Sequence, residues 1–348
     1  MDANITEKQK NNDLLDLVKF ILSFLIVAIH TSLFGEYLYP WLRLAVPIFF
    51  MISSYLFFCK INSCETSREK FQALKKFVIR NMILYAFWFV VLLPFNNILR
   101  GWFDGGLFKG ILNIILNIVV GSTFVASWFI SALIIGTIIV FFASKKINIK
   151  VLFIITLVIQ ILVAIRSSHM YLFADVSSLE GVFSVVVKYE RIMNSPVLSF
   201  PAGLFWIVSG KMFADGKFKL SKKPTIIILA ISLPLLLTEW IIAKTNSGVY
   251  NRDVFIFLIP CVLMIFNLLM MVKPIKVKYS REMRKMSTII YASHGTVAIC
   301  VEKLYELIFG TSFSIIVFLT VCAICIGGSL LVLKLEKYKY LKWLKYSH

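Results

Sequence analysis

Apolar residues along this chain come in long runs separated by short polar or basic segments. The runs fall at 14–34, 41–59, 77–99, 107–121, 124–143, 150–166, 196–214, 224–243, 253–272, 287–309 and 312–334. Most approach the roughly twenty residues that a helix needs to cross the hydrocarbon of a bilayer. The pattern predicts an all-α, polytopic membrane helical bundle. It divides the chain into a cytoplasmic N-terminal segment (1–13), one transmembrane domain (14–334) and a basic cytoplasmic juxtamembrane tail or linker (335–348). No Gly/Ser-rich linker splits the middle. No internal repeat is visible, so the inverted-repeat sign of many transporters is missing.

One run stands apart. "LFKGILNIILNIVVG", at 107–121, is short, and Asn113 and Asn117 lie one turn apart on one helix face. Charge decides how to count it. If it does not cross and the N-terminus is cytoplasmic, the loops 60–76, 144–150, 215–223 and 273–286 all fall inside, with the Lys-rich C-terminus. The mixed or acidic segments with Glu36, Asp175, Glu180 and Glu190 then fall outside. If it does cross, the basic loop Lys145–Lys150 and every basic segment after it move outside. Cytoplasmic loops collect Lys and Arg, so the expectation is ten transmembrane helices with both termini cytoplasmic. The segment 107–121 is then an external re-entrant or interfacial helix.

Composition sharpens this reading. Of 348 residues, 59% are hydrophobic and 16% charged. The mean hydropathy is +0.85. A soluble domain sits nearer about 45–50% and about 25%. The net charge of +19 points toward nucleic acid in a soluble protein. Here the positive-inside rule accounts for it, so the expected partner is the lipid bilayer and no nucleic acid is expected. The six cysteines lie mostly in apolar runs. Cys322 and Cys325 form a CxxC with no second pair, so no disulfide framework and no metal site is predicted. The polar Met1–Asn12 is not followed by a small-residue cleavage site, so the first run reads as an uncleaved helix.

Polar groups inside the runs are the candidates for chemistry. The first run, "DLLDLVKFILSFLIVAIHTS", holds Lys19 and His30. At 100° per residue, their spacing places both within about 20° of one helix face, roughly 16 Å apart along the axis. This predicts that they line one water-accessible cavity. A lysine near the headgroups can snorkel, but a titratable imidazole within a span marks a functional site by default. Glu239 lies near the outer end of its run and Arg43 opens the second. Each also fits an interfacial anchor. Ser53, Ser54 and Tyr55 make a polar notch in "PIFFMISSYLFF", and Ser and Tyr also serve helix packing. His294 lies in "TIIYASHGTV". Arg80 and Asn81 open the third run beside Lys75 and Lys76, a cluster that would attract anions at the inner face.

These residues carry a resemblance. Lys19 and His30 resemble the Arg/Lys-x10-His signature of the acyltransferase-3 family of integral membrane proteins. "VPIFFMISSYLFF" is similar to that family's second-span motif, "SWFISALI" to its Leu-Trp-Phe/Tyr segment, and "FPAGLFWIVSGKMF" and "IIYASHG" to later ones. The matches run from Asp13 to about Gly328. Within the family, "RLAVPIFFMISSY", "SREKFQALKKFVIRN" and "LLTEW" most resemble the N-terminal membrane domain of vancomycin-resistance serine racemases. Ser54 stands where the family usually has Gly, and Lys76 and Arg80 are spaced one residue wider than its usual basic pair.

The resemblance implies two functions. In the first, the domain takes up or supplies L-serine to a cytoplasmic racemase, a fused C-terminal domain absent from this chain. That racemase makes D-serine for vancomycin resistance. Arg43 and Glu239 would bind the two charges of serine, and His30 would gate or protonate the path. In the second, the chain is a membrane acyltransferase with acyl-CoA (acetyl-CoA) as donor. Lys19, Lys76 and Arg80 would hold the phosphates, and His30, oriented by Glu239, would act as general base for an acceptor hydroxyl or amine. Both place Ser53, Ser54, Tyr55 and His294 along the substrate path.

Overall fold

Helices follow the apolar runs, with breaks where the runs meet the sites. A computed structural model describes residues 2–33, 38–173, 184, 188–190, 195–246, 251–273, 275–311 and 313–348. Glu36, Asp175 and Glu180 of the expected outer loops lie outside the described residues. The helices are α1 Asp2–His30, α2 Tyr39–Leu42, α3 Ala45–Asn62, α4 Ser67–Arg100, α5 Leu107–Val120 and α6 Trp128–Ala143. They continue as α7 Ile149–Ala164, α8 Pro201–Ala214, α9 Lys222–Thr245, α10 Leu258–Met271, α11 Ser280–Phe309 and α12 Ser314–Leu335. Among the described residues there is no strand.

Local chemistry sets several boundaries. A capping box opens α4: the Glu69 amide donates to Thr66 Oγ1 (3.2 Å), and Glu69 Oε2 accepts from the Thr66 amide (3.3 Å). Asn148 caps α7 by accepting from the Lys150 amide at 2.9 Å. Two expected runs are interrupted. Run 150–166 passes at Ile165–His169 into a π-helical turn and then a 3-10 turn, Met170–Phe173. Run 253–272 becomes helical only at Leu258, because side chains from elsewhere hold its first residues. Both interruptions border the candidate site.

Stretches Tyr39–Asn62, Ser67–Asn96, Ile149–Leu172, Lys222–Thr245 and Ser314–Leu335 are long and apolar enough to cross a membrane. The helices α5, α6 and α10 are shorter apolar helices, and α1 and α11 are longer but more highly charged. Large apolar side chains face outward, among them Met82, Val90, Ile154, Val158, Ile231 and Leu330. A soluble fold would bury such a surface, so lipid covers it. The chain is a multi-pass membrane protein.

Helix α8 lies at the centre, buried along almost its whole length against α3, α6 and α7. Helix α1 packs on α11, and α11 on α12. A Cβ on Gly210 would sit 2.0 Å from Ser54 Oγ and 2.7 Å from the Met51 carbonyl oxygen. The hydroxyl can turn, but the carbonyl belongs to α3 and cannot. Gly210→Ala should therefore cost about 1–3 kcal/mol through overpacking, read as a lower unfolding midpoint in detergent. Ser54→Gly in the same chain should recover only part of the loss.

Helix α5 spans 14 residues, about 21 Å, against a hydrocarbon core of about 30 Å. Leu107, Phe108, Ile111 and Ile115 are exposed, whereas Asn117 turns inward and donates to the Asn113 carbonyl at 2.8 Å. The tail folds back as a 3-10 segment, Lys339–Ser347. Trp88 Nε1 donates to the Ser347 carbonyl at 3.0 Å, and Lys285 pairs with Glu336 at 2.8 Å.

Candidate functional site

The C-terminal end of α1 opens on a chamber of about 360 Å³. His30 enters from α1, Arg43 from the turn after α2, Asn117 from α5, Gln160 from α7 and Tyr291 from α11. Asp253 comes from the non-helical stretch before α10, and Trp128 and Trp206 supply aromatic wall. The chamber is therefore a junction of segments far apart in sequence, and the expected external helix is part of its wall.

Its dominant charges are Arg43 and Asp253. They form an ion pair in which Tyr39 also takes part, its hydroxyl donating to Asp253 Oδ1 at 2.9 Å. The guanidinium lies over the Tyr39 ring at 4.3 Å and donates to the Tyr39 hydroxyl. Arg43 Nε and Gln160 Oε1 are buried without a protein hydrogen-bond partner. Unpaired polar atoms of this kind are costly unless a ligand or water meets them.

His30 and His294 stand ring to ring, with centroids 4.9 Å apart. His294 Nδ1 lies 2.6 Å from the Tyr291 carbonyl and 3.2 Å from that of Ile290. Carbonyls only accept, so Nδ1 carries the proton, and Nε2 presents a lone pair with no protein partner. His30 is exposed to the chamber.

A second cavity, about 80 Å³, is lined by Lys19, Ser53, Arg80 and Asn81, with Ser287 and Thr288 of α11. The Lys19 ammonium lies over the Phe49 ring at 5.7 Å. Asp16, one turn before Lys19, meets Arg284 at 3.7 Å. Lys19 and His30 thus open on two cavities in line along α1, not on one. Tyr291 lines both, and its hydroxyl donates to the Ala126 carbonyl at 2.8 Å. Ala126 holds a left-handed backbone, φ 66°, strained for a residue with a Cβ. Lys76 is exposed and lines neither cavity.

Other expected site residues go elsewhere. Ser54 is fully buried, bonds the Phe50 carbonyl at 2.8 Å and packs against Gly210. Tyr55 faces a third cavity, beside Leu14 and Phe213. Glu239 has both oxygens engaged away from His30. Oε1 accepts from the Ile256 amide (2.6 Å) and lies 2.9 Å from His169 Nε2, and Oε2 accepts from the Phe257 amide (2.8 Å). It thereby ties down the stretch just before α10 that carries Asp253, which Ser167 also holds through the Asp253 and Val254 amides. Glu239→Gln turns an amide NH₂ toward one of these donors, and should cost about 1–3 kcal/mol, read as a lower unfolding midpoint.

Sequence reasoning missed Asp253, His169, Gln160 and Tyr291. Asp253 stood at the edge of an apolar run, where it looked like an end residue. His169 followed a run in "RSSH", a polar break that was itself a signal of a turn.

The acyltransferase-3 family model, described as an acyltransferase domain, matches residues 12–333. An amino-acid racemase of Enterococcus faecalis is 27% identical over 265 residues, covering 74% of this chain and 35% of the relative. A second amino-acid racemase of the same organism is 26% identical over 340 residues, covering 92% of this chain and 46% of the relative. The chain thus spans less than half the length of these relatives. No solved structure matches it significantly.

Proposed function

From the premise that the chain belongs to the acyltransferase-3 family, we propose that it is a membrane domain that binds a small zwitterionic amino acid, L-serine, and supplies it to a cytoplasmic amino-acid racemase. The observation that carries this reading is the Arg43–Asp253 pair on the chamber wall. A guanidinium with an unused Nε donor suits a carboxylate, and a neighbouring carboxylate suits an ammonium. Serine can insert between the two and exchange one ion pair for two. Gln160 offers an acceptor for its hydroxyl. His30 would carry the proton that the step needs, with His294 Nε2 as its relay. Glu239 and His169 act as positioning residues for Asp253.

The same proposal sets the topology. Ten helices cross, α1, α3, α4 and α6 to α12, and α5 lies at the outer surface. Both termini are then cytoplasmic, an orientation that the one-sided placement of the basic loops favours. The chamber faces outward and the Lys19 cavity inward, with Tyr291 between them. The amino-acid racemase names of the relatives support a racemase as partner, and the proposal adds that this racemase is cytoplasmic and makes D-serine for vancomycin resistance. A cysteine introduced at Lys145 should react with a membrane-impermeant maleimide only after the cells are opened. Labelling from outside would sink the ten-span arrangement.

The His30–His294 pair favours a second reading, acyl transfer. The His30 imidazole, which lines the chamber with His294 behind it, would take a proton from an acceptor hydroxyl. The cavity around Lys19 and Arg80, across Tyr291, would hold phosphate groups of acetyl-CoA. One experiment separates the two. The purified protein is given ¹⁴C-L-serine alone, and separately ¹⁴C-acetyl-CoA with a panel of hydroxyl acceptors. The serine reading predicts saturable serine binding and no stable acetyl product. Acetyl transfer without serine binding would replace it with the second reading.

A further inference from the structure

The third cavity, the one Tyr55 faces, belongs to neither reading. It has a volume of about 570 Å³ and lies between the middle of α1, α3, the end of α8 and the end of α10. Its wall is mostly apolar, with Leu14, Leu15, Phe213, Phe218, Leu269 and Met270. The chain between α8 and α9 arches along one side and places Lys219 at the lip. That rim is fixed at both ends. Asn62 donates to Asp215 Oδ1 (2.9 Å) and to the Ala214 carbonyl (3.2 Å). Asn267 donates to the Leu220 carbonyl (3.0 Å) and to Thr225 Oγ1 (2.8 Å).

Charge around the mouth is one-sided. The segment 216–223 carries Lys217, Lys219, Lys222 and Lys223 and no acid, and all four lysines are exposed. Across the opening, the segment after Met271 carries Lys273, Lys276 and Lys278, again with no acid. The carboxylates beside the opening are already engaged: Asp215 by Lys211 at 2.9 Å, and Asp13, next to Leu14, by the Ser280 hydroxyl at 2.7 Å and the Val277 amide at 3.4 Å. An apolar slot with a basic lip, in a protein whose outer surface is lipid-covered, has the shape and charge of an amphiphile with an anionic head.

We propose that this cavity holds an acyl chain of an anionic phospholipid, whose headgroup phosphate meets Lys219 and its neighbouring lysines. The proposal is independent of what the chamber binds. Each lysine near an anionic headgroup contributes about 1 kcal/mol, so each one engaged raises affinity about fivefold. A neutral lipid gains nothing from them.

The test is a titration of the purified, delipidated full chain with phosphatidylglycerol and with phosphatidylcholine, counting bound lipids by native mass spectrometry. The first phosphatidylglycerol should bind at least about tenfold more tightly than phosphatidylcholine. In a variant with Lys217, Lys219, Lys222 and Lys223 all changed to Gln, that preference should fall to within about twofold, whereas Lys145→Gln/Lys146→Gln on another loop should keep it. Met270→Trp, which fills the slot, should weaken the first lipid in a protein that still elutes as a monodisperse peak. Glycerol phosphate, a head without a tail, should not displace the bound lipid. Equal binding of the two lipids by the wild type would overturn the proposal, as would equal loss in the Lys145/Lys146 control. Full displacement by glycerol phosphate would reduce the site to a phosphate contact and would also overturn it. The lysines are exposed, so their replacement leaves the fold intact and the comparison stands even if Met270→Trp does not fold.

Discussion

Asp253→Leu is expected to lower the stability of the protein by about 2–4 kcal/mol and to abolish serine binding. Removing one partner of a fully buried ion pair costs about 3–5 kcal/mol, because the other charge is stranded. The two side chains here are 18% and 23% exposed, so the chamber screens part of that cost. Arg43 would keep only its contact with Tyr39. The double variant Arg43→Met/Asp253→Leu removes both charges. It should recover most of the stability, since neither charge is left unpaired, and should still fail to bind serine. Thermal unfolding in detergent reads the first effect, and a scintillation proximity assay with labelled L-serine reads the second. If the single variant were as stable as wild type, the pair would have no energetic role. If the double variant bound serine, the pair would have no recognition role.

His30→Asn is expected to stop delivery while leaving binding within about threefold of wild type. Asparagine hydrogen-bonds over a similar reach but cannot titrate near neutrality. A residue that serves only in packing would tolerate the exchange. A proton carrier would not, and in the acyl-transfer reading the loss should reach about 10²–10⁴-fold. Uptake into proteoliposomes measures delivery, and equilibrium binding on the same preparation controls for folding. Wild-type uptake in a well-expressed His30→Asn protein would leave His30 as structure. The companion His294→Asn removes the imidazole packed beside His30 and should show a smaller loss of the same kind.

The parts of this account that were legible in the sequence are those carried by short-range periodicity. The helical spacing of Lys19 and His30 places them on one face of α1, and both do open on cavities. The short, amphipathic run at 107–121 does form a helix with a lipid-facing and an inward face. What was not legible depends on contacts between distant segments. Arg43 meets Asp253 some 210 positions away, and no local pattern marks an aspartate at the edge of an apolar run as the partner of an arginine. From a place near the outer end of its run, Glu239 is expected to orient His30. Its oxygens instead hold His169 and two amides just before α10, and the π-helical turn after α7 is what carries His169 there. Tyr291, which divides the two cavities, looked like one more aromatic residue in a helix.

The measurement that tests the central claim most directly is competition for labelled L-serine on the wild-type protein in nanodiscs. The competitors are serine methyl ester, which lacks the carboxylate, and 3-hydroxypropionate, which lacks the ammonium. If Arg43 and Asp253 each hold one charge of the zwitterion, unlabelled L-serine displaces the label and each analogue does so at least about tenfold more weakly, a loss of about 1.4 kcal/mol or more for each missing contact. Serine that fails to bind a folded protein, or analogues that compete as well as serine itself, would contradict the claim.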